Sequence, residues 1–170
     1  MTIKVDHYLT HSQIKDIIGV TYNPNMELIL MLMFYCGLRV SEAINIHKHT
    51  INKEKGYPTI TLIGKGSKER TIRIPSKSLV SKLKFRATKY PFSRQGVRQH
   101  IVRKSKLFDW SKDIKWKIGC HTFRHSAAHY YLSKGVPINE LQAFMGHSSL
   151  AITQLYLTTD NQNNENWSVD

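Results

Sequence analysis

Apolar residues recur along this chain with two different periods, and the switches between them divide it into helical and extended stretches. Near the start, Ile14, Ile17 and Ile18 share one side of a predicted helix, with Thr10 and Ser12 as residues able to cap it. Tyr22-Asn23-Pro24-Asn25 then breaks the pattern. From Met26 to about Cys36 nearly every position is apolar, which predicts a helix of the core. Gly37 ends that run, and Ser41-Glu42 opens a further helix through Ala43, Ile44 and Ile46.

From Tyr57 to Pro75 the period becomes two. Ile60 and Leu62 alternate with Thr59 and Thr61, Gly64-Lys65-Gly66-Ser67 turns the chain, and Ile72 and Ile74 alternate with Thr71 and Arg73, the pattern of a β-hairpin. Helical spacing returns over Ser76 to Lys89. Ser93 then caps a basic helix with Val97, Ile101 and Val102 on its apolar side, and Phe108 to Gly119 reads as a connecting loop with two tryptophan anchors. The last third predicts helices over His121 to Lys134 and Asn139 to Met145, a short one capped by Ser148 or Ser149 and running through Tyr156, and a polar tail over Asn161 to Asp170. The fold expected is mainly α with a small antiparallel hairpin or sheet, in one domain.

Charge changes the picture. The 170 residues include 25 Lys and Arg against 12 Asp and Glu, a formal charge of +13. Such an excess favours a polyanionic partner, nucleic acid first, over a merely basic soluble protein. Cys36 and Cys120 are too few for a disulfide framework and have no C-x-x-C spacing, so a reducing compartment is expected and a structural zinc site is not. The longest apolar stretch, Leu28 to Leu38, is far short of the ~20 residues of a membrane span, and the first ten residues lack the apolar core of a signal peptide. A cytoplasmic, DNA-associated location is the expectation.

Several residues have the chemistry to handle a phosphate. His121 and Arg124 lie three apart at a helix start, where backbone N–H groups and the helix dipole attract an anion and a guanidinium offers paired donors. Arg39 follows the core helix at a glycine, positioned to project from a rigid platform. Lys65 lies between two glycines at the hairpin tip, and Gly146-His147 precedes Tyr156 by a short capped helix. Taken singly, each of these also fits an ordinary structural role.

Taken together they resemble one family. Gly37-Leu38-Arg39-Val40-Ser41-Glu42, the hairpin Gly64-Lys65-Gly66-Ser67-Lys68-Glu69-Arg70, His121-x-x-Arg124-His125, Gly146-His147 and Tyr156 occur in the order and at the spacings of the tyrosine recombinases, especially the Xer-like recombinases and phage or transposon integrases. The likeness runs from about Tyr8 to Tyr156. It implies that Arg39, Arg124 and His147 hold the non-bridging oxygens of a scissile phosphate. It further implies that Tyr156 attacks to leave a 3′-phosphotyrosine, that His121 is its base and that Lys65, with Lys68 as runner-up, protonates the departing 5′-oxygen. Glu42 and His125 would be buttresses. No metal, nucleotide or other cofactor is implied.

The resemblance also implies double-stranded DNA as partner, tetramers on that DNA and accessory DNA-bending proteins, with no membrane. Arg94, Gln95 and Arg98 are the expected groove contacts, and Lys68, Arg70, Arg103 and Lys104 the expected phosphate contacts. Residues 1–160 would form the catalytic domain and 161–170 the tail, without the N-terminal core-binding domain usual in the family. A type IB topoisomerase-like enzyme and a non-catalytic DNA-binding module are the alternatives.

Overall fold

The computed structural model describes residues 7–54, 57–63, 69–85 and 90–146, which form seven α-helices and a three-stranded sheet. Helix α2 (Pro24–Tyr35) sets the arrangement. Its first turn is fixed by Asn23, whose Oδ1 accepts from Asn25 N and Met26 N at 3.1 and 3.0 Å, with Pro24 supplying a helical φ. Capping at Asn23 is why the helix begins two residues before the apolar run. Met26 and every residue from Leu28 to Phe34 are buried, so the helix has no solvent face to offer. It lies among α1 (His11–Gly19), α3 (Val40–Ile44), α4 (Lys77–Lys84) and α6 (Cys120–Ser133). Glu27, the acidic exception in its first turn, pairs with Lys82 of α4 at 2.8 Å.

Helix α1 starts from a reciprocal cap. Gln13 N donates to Thr10 Oγ1 at 3.3 Å, and Thr10 N to Gln13 Oε1 at 2.9 Å, while Ile14 and Ile17 point into the core. Helix α5 (Arg94–Ser105) is capped by Ser93 and buries Val97 and Ile101. The expected loop after it contains a 3-10 turn, Asp109–Lys112, and both tryptophans anchor it. Trp110 Nε1 donates to Asp16 of α1 at 3.0 Å, and Trp116 stacks on His7 with ring centroids 5.0 Å apart. Helix α7 (Ile138–Met145) closes on Gly146, whose φ of 62° is left-handed.

The sheet is larger than the expected hairpin. Strands β1 (Thr50–Glu54), β2 (Tyr57–Ile63) and β3 (Glu69–Arg73) are antiparallel in that order. Ile60 pairs with Ile72, and Leu62 with Arg70; Ile60, Leu62 and Ile72 are buried, so these two pairs share the core face. Strand β1 is an edge strand carrying one apolar residue, Ile51, and it is held by its backbone ladder to β2. Among the described residues no helix is long and apolar enough to cross a membrane. The hairpin tip with Lys65 and Lys68, the segment with His147, the expected short helix through Tyr156 and the polar tail lie outside the described residues.

Candidate active site

Two arginines from distant parts of the sequence converge on the C-terminal turn of α7. Gly37 ends α2 with a left-handed φ of 59°, and Leu38 N returns to Leu32 O at 3.3 Å, which brings Arg39 to the N-cap of α3. There Glu42, rather than Ser41, organises the helix start, because its Oε2 accepts the Arg39 backbone N–H at 2.8 Å. Arg39 Nη1 pairs with Glu42 Oε1 at 3.1 Å and Nη2 donates to Gly146 O at 3.1 Å. Nearly half of the side chain, 46%, stays exposed.

Arg124 approaches from α6 and is buried. Its Nη1 donates to Gly37 O and its Nη2 to Met145 O, so one guanidinium ties the end of α2 to the end of α7. Helix α6 is positioned by Thr122, whose Oγ1 accepts from Gly119 N at 3.0 Å. His121 is exposed in its first turn, one turn before Arg124. His125 and His129 follow at helical spacing, and His129 stacks on Tyr8 at 3.8 Å. Burial first, then the positive charge of His121, His129, Arg124 and His7, holds His125 down to about 4, so it is neutral near pH 7.

Glu42 joins this arginine pair to the sheet. Its Oε2 also accepts from Arg70 Nη2 at 3.0 Å. Burial pushes the Glu42 carboxyl up, but Arg70, the Arg39 N–H, Arg39 and Arg124 outweigh it and hold the group below its ordinary value. Expected as a surface phosphate contact, Arg70 is three-quarters buried against the site, and its enclosed Nε has no hydrogen-bond partner among the described residues. The signal for this lies in the strand period: Arg70 is two residues from buried Ile72 and falls on the same face.

The DNA candidates on α5 divide between two flanks. Arg98 lies beside the start of α6, since a Cβ on Gly119 would be 3.8 Å from its Cγ, and Cys120 Sγ is 4.0 Å from Arg94 O. Arg94 and Arg98 are exposed there, near His121, and Gln95 is exposed as well. Arg103 and Lys104 border a different feature, an open cleft of about 730 Å³ that Tyr22, Met26, Phe92 and His100 also line. Lys104 Nζ is 5.2 Å from the Tyr22 ring centroid, a cation–π contact that engages it within the protein. Among the described residues no cluster of three or more His, Cys, Asp or Glu has a metal-binding arrangement.

The comparisons agree with this geometry. A sequence model of the phage integrase family matches residues 7–163. Tyrosine recombinase XerA of Pyrococcus furiosus is 34% identical over 160 residues, covering 87% of this chain and 56% of the relative. A tyrosine recombinase of Thermosipho africanus is 31% identical, covering 94% and 59%. The chain thus spans a little over half the length of these curated relatives. Among solved structures, the catalytic domain of bacteriophage HP1 integrase superposes with a TM-score of 0.64 at 23% identity, covering 88% of this chain and 86% of that one. XerH recombinase bound to its difH substrate before cleavage gives 0.68 at 20% identity, covering 94% and 53%. These likenesses show a tyrosine recombinase catalytic-domain fold. With the family match running through almost the whole chain, the protein belongs to the phage integrase family.

Proposed function

We propose that this chain is the catalytic domain, residues 1–160, of a site-specific recombinase that cuts and rejoins double-stranded DNA through a 3′-phosphotyrosine. The observation that carries the reading is the convergence of Arg39 and Arg124 on the adjacent carbonyls of Gly146 and Met145. Rigid anchoring of two guanidiniums at one point suits the charge that builds on a phosphorane, because donors already in place need no reorganisation during the reaction. Arg39, whose side chain is nearly half exposed, would take the non-bridging oxygens together with Arg124 and His147. Names of the relatives support this reading, and the DNA-bound XerH structure supports duplex DNA as partner.

In this reading the Tyr156 oxygen forms a bond to phosphorus as the bond to the 5′-oxygen breaks. The phenol proton passes to His121, and Lys65 gives a proton to the leaving 5′-oxygen. A 5′-hydroxyl of another strand then reverses the step and releases Tyr156, so no bond energy is lost between cleavage and joining. Arg94 and Arg98 flank the start of α6 and, with Gln95, would meet DNA beside the scissile phosphate; Lys68, Arg103 and Lys104 would contact phosphates further out. Assembly as a tetramer on the DNA, help from DNA-bending proteins and a cytoplasmic, DNA-associated location belong to the same proposal. Incubation with a nicked duplex carrying a candidate site, in EDTA, tests it. Wild type should give a covalent protein–DNA band and Tyr156→Phe none; bound DNA without a band, even after an N-terminal DNA-clamping domain is supplied, would count against the reading.

A further inference from the structure

We infer that Arg70 is a positioning residue of this site: through Glu42 it fixes the pose of Arg39, and so locks the base of the β2–β3 hairpin to the phosphate-binding arginines. The inference rests on the proposed strand-transfer reading. Arg70 is opposite Leu62 and two residues from Ile72, so β3 directs a guanidinium toward the core face at a position where an apolar side chain would otherwise be expected.

What the guanidinium meets there explains why it is charged. Arg70 and Arg39 grip one carboxylate from two sides, at Oε2 and Oε1, at 3.0 and 3.1 Å, and Oε2 also takes the Arg39 backbone N–H. The side chains of Arg70 and Glu42 are 23% and 15% exposed, against 46% for Arg39. The enclosed part of the triad is therefore the Arg70–Glu42 pair, and Arg39 is its solvent-facing end. Ordering Arg39, a long side chain at the surface, costs rotamer entropy that an exposed ion pair alone barely offsets. A carboxylate already held by a second, more enclosed arginine gives Arg39 a fixed partner before substrate arrives.

The C-terminal turn of α7 supplies the fourth side. Gly146 accepts from Arg39 through its carbonyl, and its Cα faces the Arg70 guanidinium so closely that a Cβ there would lie 2.7 Å from Cζ and 2.9 Å from Nε. Arg70 thus touches the residue that Arg39 is bonded to as well as the carboxylate that holds it. Since Arg70 follows Glu69, where the Ile63-to-Glu69 connection bearing Lys65 rejoins the sheet, its pairing places that connection's base in fixed relation to Arg39. With its guanidinium committed to Glu42 and packed against Gly146, Arg70 acts here through its neighbours rather than as a direct DNA contact.

The test compares wild type, Arg70→Gln, Arg70→Lys, Glu42→Gln and the double Arg70→Gln/Glu42→Gln variant. On saturating nicked duplex, Arg70→Gln should slow covalent adduct formation by on the order of 10²-fold, as expected for a misplaced catalytic group, while DNA affinity changes less than about twofold. Arg70→Lys, which keeps the charge, should recover part of the rate. The double variant should be no slower than the slower single one, because both act through one network. In DNA-free protein, the Arg39 Nε–H resonance should move in the same direction in Arg70→Gln and Glu42→Gln. An Arg70→Gln variant that cleaves normally at saturation but binds DNA with a salt slope smaller by about 1 would make Arg70 a phosphate contact and overturn the inference. If wild type forms no adduct, the strand-transfer reading fails, and an Arg39 resonance unmoved by Arg70→Gln would separately refute the positioning role.

Discussion

Replacing Gly37 with alanine probes the joint on which the site is built. Gly37 holds a left-handed φ of 59°, where an L side chain costs roughly 1–2 kcal/mol. The new methyl would also lie 2.5 Å from Met145 Sδ and 3.2 Å from Phe144 Cε1, both in buried residues of α7. Forcing a methyl into a packed core adds about 1–3 kcal/mol, part of which the flexible Met145 side chain relieves. The sum is about 2–5 kcal/mol. Gly19→Ala is the matched control: it ends α1, a Cβ there meets nothing within 4 Å, and the substitution should be neutral or stabilise by up to about 1 kcal/mol. Urea unfolding followed by circular dichroism reads both, with the Gly37→Ala midpoint expected about 1–2 M lower at an unchanged slope. A Gly37→Ala protein within about 0.5 kcal/mol of wild type would refute the reasoning, as it would mean that α2 and α7 are not packed against each other at this turn.

Three further outcomes follow from particular contacts. Ser126 Oγ accepts the buried Leu9 N–H at 2.8 Å, so Ser126→Ala should cost about 1–3 kcal/mol in the same unfolding assay, from an amide left unpaired. His125 is held down to about 4, below an unfolded value of 6.5; between those values the unfolded chain binds more protons, so stability is complete above pH 6.5 and falls as the pH drops toward 4. At 1.36 kcal/mol per unit and with solvent screening of a half-buried ring, wild type should lose about 1 kcal/mol more than His125→Gln between pH 7 and pH 5. Arg98→Ala should weaken binding to the cognate site by about 1–3 kcal/mol and relax its preference over unrelated duplex, read by fluorescence anisotropy on both DNAs; unchanged affinity and preference would remove Arg98 from the groove.

The helices were legible where sequence carries both a period and a cap. Thr10 and Ser93 each mark a start that the structure uses, whereas Asn23-Pro24, read as a break, is the cap and first turn of α2. Strand β1 was not legible, because Thr50-Ile51-Asn52-Lys53-Glu54 holds one apolar residue and owes its strand geometry to backbone pairing with β2. Arg39 and Arg124 could be picked out through their companions in the pattern, but not their partners: Arg124 is bonded to carbonyls 87 and 21 residues away, a relation that only the packing of α2, α6 and α7 creates. Arg70 shows the opposite failure. Its alternation with Ile72 placed it on the inner face, yet its charge argued for solvent, and the partly buried Glu42 decides between them. The two flanks of α5 separate Arg98 from Lys104 in the same way, through neighbours rather than local sequence.

The most direct measurement of the central claim is to locate the covalent bond. Wild-type protein trapped on a nicked duplex, digested with protease and nuclease and sequenced by mass spectrometry, should give a peptide with a nucleotide on Tyr156, attached through the 3′-phosphate and matched by a free 5′-hydroxyl on the departing strand. A nucleotide on any other residue, or a 5′-phosphate linkage, would contradict the account.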